Sequence, residues 1–145
     1  MTCILFDGKT LAGDKRACGG STFVTVTKIF RIRDCLVGIA GEYSCAAQML
    51  RWFEDGADIK DFPDCRDKEN PESGATLMVI NQAKTILLYE DSPYPLVVED
   101  TQCAIGCAEE AARVAMACGL SACDAVLMVS RFNPDCGNGV DTLTL

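Results

Sequence analysis

The chain has 145 residues, 49% of them hydrophobic and 23% charged, which excludes a disordered polypeptide and describes one globular domain, 1–145, able to bury a core. A net charge of −8 opposes nucleic-acid binding, and no apolar run reaches the length of a bilayer span, so no membrane partner is expected. No basic and then apolar leader opens the chain, so a cytoplasmic location is expected, with the ten cysteines as thiols and not as a disulfide framework.

In chain order, residues 3–6 read as a short apolar strand, and Asp7-Gly8 is a strong hairpin signal. Residues 10–14 return as a second strand, and Gly19-Gly20 breaks it. Residues 23–32, rich in β-branched and aromatic side chains, read as one strand. Arg33-Asp34 then turns the chain into residues 35–41, which are apolar on both faces and so predict a central strand. A helix is expected over 42–53, with Ala46, Leu50 and Phe53 on one face, Met49 beside them, and Gly56 beyond its end.

Residues 61–72 are acidic and contain proline, the composition of a surface loop. Little room remains there for a second long helix before strands resume at 75–80, 85–90, 95–99 and 102–105. Gly106 leads into a second helix with Glu109 and Glu110 in its first turn and Cys107, Ala111, Val114, Ala115 and Cys118 as its apolar face. Ser121 and Asp124 make a capping-box-like start to a third helix that runs to about Phe132. Gly137 and Gly139 mark a turn before a closing strand at 140–145.

There is no CxxC, and the closest cysteine pair is Cys103 and Cys107, so no metal site is expected. Most cysteines, Cys35, Cys45 and Cys118 among them, sit beside small or apolar residues and read as buried hydrophobes. A thiol-based metal or redox protein is the weaker reading of the same residues.

The chain contains no histidine, which removes the Ser-His-Asp and Cys-His solutions to acyl transfer. Thr2 stands directly behind Met1, and a small second residue lets an aminopeptidase remove the initiator. A chain that begins with threonine carries a hydroxyl nucleophile and an amine base on one residue.

Several segments carry a family resemblance. They are Met1-Thr2-Cys3-Ile4, Leu11-Ala12-Gly13-Asp14-Lys15-Arg16-Ala17 and Val26-Thr27-Lys28-Ile29-Phe30-Arg31-Ile32, followed by Leu36-Val37-Gly38-Ile39-Ala40-Gly41. Ala104-Ile105-Gly106-Cys107 and Cys136-Gly137-Asn138-Gly139 add looser matches. Together they resemble proteasome β-type subunits, including the bacterial HslV peptidase and its smaller relatives.

The resemblance implies an α+β fold, a four-layer αββα sandwich of two mainly antiparallel sheets, which is the N-terminal-nucleophile hydrolase fold. It implies Thr2 as nucleophile, Asp14 and Lys28 as the pair that tunes its amine, and Gly41 as the oxyanion donor. By position it places Ala17, Cys18 and Phe30 in the substrate pocket. It also implies a homo-oligomeric ring, an ATP-dependent unfoldase partner, a peptide or unfolded-protein substrate, and no cofactor.

The sequence departs from the family where it usually has serine after the glycine that opens the second helix; here it has Cys107. Near the end the family has Asp and, three residues on, Ser before Gly; here Asn133 and Cys136 stand in those places, with Asp135 nearby. Those groups support the threonine amine, and asparagine supplies no carboxylate while a thiol is a weak donor and acceptor. A non-catalytic ring-forming subunit of the same fold is therefore the alternative.

Overall fold

A computed structural model describes residues 2–67, 69–70 and 73–145. Lys68, Pro71 and Glu72 of the expected acidic loop, and Met1, lie outside the described residues.

The chain is α+β, with three α-helices and three antiparallel sheets among the described residues. The first sheet runs in the order β10 (Cys103–Ile105), β1 (Ile4–Phe6), β2 (Thr10–Asp14), β11 (Val140–Thr144). The largest runs β5 (Ile29–Ile32), β6 (Cys35–Gly41), β7 (Ala75–Ile80), β8 (Ile86–Tyr89), β9 (Leu96–Val98). A separate two-stranded sheet pairs β3 (Arg16–Gly19) with β4 (Thr22–Thr25).

Three apolar layers follow from the strand alternation. Ile4, Phe6, Leu11, Ile29, Leu36, Met78 and Ile80 fill the space between the two larger sheets. Helix α1 (Tyr43–Glu54) covers the outer face of the five-stranded sheet through Cys45, Ala46, Met49, Trp52 and Phe53. Helices α2 (Glu109–Ala117) and α3 (Ala122–Phe132) cover the other sheet through Ala112, Ala115, Met116, Ala125, Val126 and Val129. Where the large sheets meet, a Cβ on Gly13 would lie 3.2 Å from the Ile4 side chain and one on Gly38 only 2.9 Å from it. Ile4 thus fits into room that glycine leaves on both sheets.

Four sequence expectations need correction. Residues 23–32 are two strands and not one. Val26 N–H pairs back to Lys15 O at 2.8 Å as the last rung of the β3–β4 hairpin, whose β4 residues are all exposed, and inward–outward alternation starts only at Ile29. The buried face of α2 is Ala112, Ala115 and Met116, while Val114 is 64% exposed. The helix starts at Glu109, and the side that carries Met116 wins the core. The all-thiol expectation fails at Cys45 and Cys65, which form a disulfide that ties the loop to α1. Among the remaining cysteines Cys3 and Cys136 are buried, but Cys118 is exposed and Cys35 only half-buried, so the buried-hydrophobe reading holds for a minority. The short segment expected before β7 is present as a 3-10 helix, Ile59–Asp61, held by the Trp52 indole N–H on Asp58 O at 2.7 Å.

Asp7 does more than turn the first hairpin. Its Oδ1 accepts the Lys9 and Thr10 N–H groups at 3.0 and 2.8 Å, and its Oδ2 accepts the first N–H of α3, from Ala122, at 2.9 Å. Burial works to raise its pKa, but these backbone bonds outweigh it and the carboxyl lies below its ordinary value. A depressed folded value means stability that is present above the unfolded pKa and is lost as pH falls through the folded one. Asp7→Ala is expected to cost about 1–3 kcal/mol at pH 7, with the difference from wild type shrinking below pH about 4. Urea midpoints measured at both pH values check this; an unchanged difference at low pH would contradict the ionised-cap reading.

Candidate active site

Among the described residues, three polar or charged residues are buried: Thr2, Asp14 and Lys28, at 4%, 1% and 5% exposure. Burying such groups is costly unless each is partnered, and here the partners come from separate parts of the fold.

Asp14 ends β2, and its carboxylate accepts four bonds. Oδ1 takes the Cys3 N–H at 2.9 Å and the Lys28 ammonium at 2.8 Å. Oδ2 takes the Arg16 and Gly137 N–H groups at 3.1 and 3.0 Å. Only donors surround the group, the pattern an ionised carboxylate satisfies. Lys28 lies in the link just before β5 and not on a regular strand, yet its carbonyl still accepts Ile39 N–H at 3.0 Å. Strand pairing therefore holds its backbone to β6, while the break before it frees the side chain to turn toward Asp14.

Thr2 is fixed by the turn before α2. Its N–H donates to Cys107 Sγ at 3.3 Å, the Cys107 thiol donates to its carbonyl at 3.6 Å, and Ala108 N–H donates to the same carbonyl at 3.4 Å. Gly106 makes this closeness possible. Its φ is +103°, and a Cβ there would fall on the Thr2 carbonyl. In the sequence Gly106 marks only the entry to the second helix; its closeness to Thr2 comes from the fold.

Gly41 ends β6 with a φ of +100°, and a Cβ would approach Ala75 Cα to 2.7 Å. Glu42 N–H bonds Gly74 O at 2.8 Å, which makes 42–74 a hydrogen-bonded pair and 41–75 a non-bonded one in the ladder. The Gly41 N–H therefore faces the other side of β6, where β5 has already ended. That side is a cavity of about 300 Å³ whose lining includes Thr2, Lys28, Gly41, Ala17, Cys18 and Glu42. Glu42 caps α1. Its carboxylate accepts the Ser44 hydroxyl at 2.6 Å and the Ser44 and Cys45 N–H groups, which hold it below the usual carboxylate range.

Ala17 and Cys18, which the resemblance places in a substrate pocket, border this cavity. Phe30 does not: alternation along β5 sends Ile29 between the sheets and Phe30 to the side covered by α1. Cys136 is fully buried. The hydrogen bond with Cys3, burial and the Asp14 charge all push the Cys136 thiol up. Burial likewise raises the Cys107 thiol. Asn133 is not brought to Thr2. It terminates α3, and its side-chain oxygen accepts the Asp135 N–H at 2.9 Å. No cluster of metal-ligating side chains occurs among the described residues, and none of their helices is long and apolar enough to cross a membrane.

No known family description matches the sequence, and no curated protein matches it. Solved structures do match. The chain superposes over its full length on 98% of Thiobacillus denitrificans BPH in complex with epoxomicin, with a TM-score of 0.72 and 14% identity. A second structure of Thiobacillus denitrificans BPH gives a TM-score of 0.70 at 16% identity, over 99% of this chain and 96% of that one. What is shared is the fold.

Removing one side of the buried pair is expected to be asymmetric. Lys28→Met leaves Asp14 its three N–H donors. Asp14→Ala leaves those donors and a buried ammonium without the carboxylate, at a cost of about 3–5 kcal/mol. Denaturant unfolding of the two variants checks the order; equal losses would mean that the carboxylate does not organise the site.

Proposed function

We propose that the chain is a threonine-type peptidase of the N-terminal-nucleophile hydrolase class, with the four-layer sandwich of that class. The observation that carries this reading is that Thr2, Asp14 and Lys28 are the buried polar residues among those described, with Thr2 and Lys28 on one cavity wall. The likeness to a Thiobacillus denitrificans protein solved with epoxomicin, a proteasome inhibitor, supports the same class of nucleophile.

In the proposed reaction, removal of Met1 turns the Thr2 nitrogen into a free amine, which takes the proton from Oγ as Oγ attacks the substrate carbonyl. An α-amine with an ordinary pKa near 8 suits that task at neutral pH. The Lys28 charge, held by Asp14, stabilises Oγ as it loses its proton, and the Gly41 N–H binds the oxyanion, a donor worth about 3 kcal/mol in comparable sites. The amine returns its proton to the leaving nitrogen, and water then releases the acyl group from Thr2. Cys107 Sγ, 3.3 Å from Thr2 N, orients the amine where the family has a serine. The substrate is a peptide or unfolded protein; a closed ring of identical copies and an ATP-driven unfoldase extend the same reading.

One observation favours the alternative, a non-catalytic subunit. The Asn133 side chain is spent on its own loop, and the position lacks a carboxylate. A fold alone licenses no activity. Intact mass before and after treatment with a peptide epoxyketone separates the two, because the ring adduct needs a threonine hydroxyl and its own free amine. Loss of Met1 with one adduct per chain on Thr2 is expected, and none in Thr2→Ala. Lys28→Met is expected to lower the hydrolysis rate by about 100-fold or more. Loss of Met1 with no adduct would favour the non-catalytic subunit.

A further inference from the structure

The Gly41 N–H takes its direction from the rung beside it, in which Glu42 N–H donates to Gly74 O at 2.8 Å. Both residues of that rung are tied back to the Cys45–Cys65 disulfide. On one side, Cys45 stands in the first turn of α1, and its N–H donates to the Glu42 carboxylate at 2.8 Å. On the other, Cys65 is followed by Arg66, which pairs with Asp91 and whose Nε lies 3.9 Å from the place a Gly74 Cβ would take. Asp67 N–H donates to Ser73 Oγ at 3.0 Å, so the stem of this loop closes directly before Gly74. Residues 42, 45, 65, 66 and 74 thus form a circuit, and the disulfide closes it.

The first half of the same loop has anchors of its own. The Trp52 indole N–H holds Asp58 O, and its ring meets Phe62 edge-on at 4.9 Å between centroids. Opening the disulfide therefore releases Cys65 and Arg66 and leaves Phe62 and α1 in place. Both cysteines line a cavity of about 250 Å³, together with Arg66, Gly74 and Asp91. Cys45 is buried and Cys65 half-buried, so the sulfur that an entering thiolate meets first is that of Cys65.

We infer that the Cys45–Cys65 disulfide is a redox-sensitive clamp that positions the Gly41 N–H, opened by a dithiol reductant. One thiolate of the reductant attacks Cys65 Sγ, and the S–S bond breaks to release Cys45, which takes a proton. The second thiolate attacks the reductant's own sulfur in the mixed disulfide, closes the reductant's internal bond and releases Cys65, which is protonated in turn. The protein gains two electrons and two protons, and the dithiol is oxidised to a disulfide. With the clamp open, the rung between residues 42 and 74 opens more often. The Gly41 N–H then loses its aim at the oxyanion, a group present only as the reaction proceeds, so kcat falls while KM holds. This effect on rate rests on the proposed peptidase reading; the clamp on residues 42 and 74 does not.

The experiment compares the full chain oxidised and after dithiothreitol. It follows peptide maps without reduction, peptide hydrolysis, epoxyketone labelling of Thr2, and hydrogen exchange at the Glu42 amide. A linked Cys45–Cys65 peptide pair is expected in the oxidised chain. Reduction should lower kcat about tenfold at unchanged KM and speed Glu42 exchange, with both restored on reoxidation. Cys65→Ser should match the reduced chain and no longer respond to dithiothreitol. Absence of the linked pair, or a reduced chain with unchanged kcat and unchanged Glu42 exchange, would overturn the clamp. So would faster exchange throughout the chain on reduction, which would make the bond a general staple. Faster exchange confined to the Glu42 region in a chain that neither hydrolyses peptides nor takes the epoxyketone in either state supports the clamp and defeats the peptidase reading.

Discussion

Everything around Thr2 hangs on the Asp14 carboxylate. Its donors come from the start of β1, the start of β3, the link before β5 and the loop before β11. A buried carboxylate without those bonds would cost several kcal/mol, so the four segments and the charge require one another. The Lys28 bond spans the two large sheets, and the Gly137 bond draws in the loop that carries Cys136. The site is therefore the joint at which the fold closes, and the geometry of Thr2 cannot be altered separately from the packing that holds it.

The electrostatics of the cavity follow the same economy. Lys28 is matched by Asp14, and the positive end of α1 is met by its own capping residue, Glu42. Both charges are thus paired within the chain. What the register turns toward the open side is the Gly41 N–H, a neutral donor, where a backbone can approach because residue 41 has no side chain. Such a site suits a group that is neutral when it arrives and acquires charge only during reaction.

The sequence made the local features legible. Asp7-Gly8 and Arg33-Asp34 turn where expected, the latter with φ of 52° and 61° at its two residues. The doubly apolar run at β6 is the central strand, and Ser121 caps α3. Thr2 stood out as the second residue of a chain without histidine, whereas Asp14 and Lys28 were singled out only by the resemblance; their common burial is a finding of the structure. What was not legible depended on partners far away. Strand propensity over residues 23–32 does not say that Val26 will pair back to Lys15. In α2, alanines on several faces give little contrast, so Met116 and the sheet beneath chose the buried side. Cys45 beside two alanines looks like any small core residue until Cys65 arrives. Phe30 lost its place at the cavity because the break at Lys28 uncouples its direction from that of the strand after it.

The contact of Ile4 with Gly13 and Gly38 bears on how such a chain can change over time. The side chain works as a dowel between the sheets: β1 cannot slide along the interface without driving a branched side chain into a neighbour that has no room for it. Thr2 lies two residues away, so its height above Lys28 and Gly41 is inherited from that fit. Ile4, Gly13 and Gly38 consequently form one unit of variation. A methyl gained at position 38 has to be matched by a smaller residue at position 4, one gained at position 13 needs room from Ile29 as well as Ile4, and a lineage that drifts at one of these positions without the others loses the alignment of its N-terminus before it loses the sandwich.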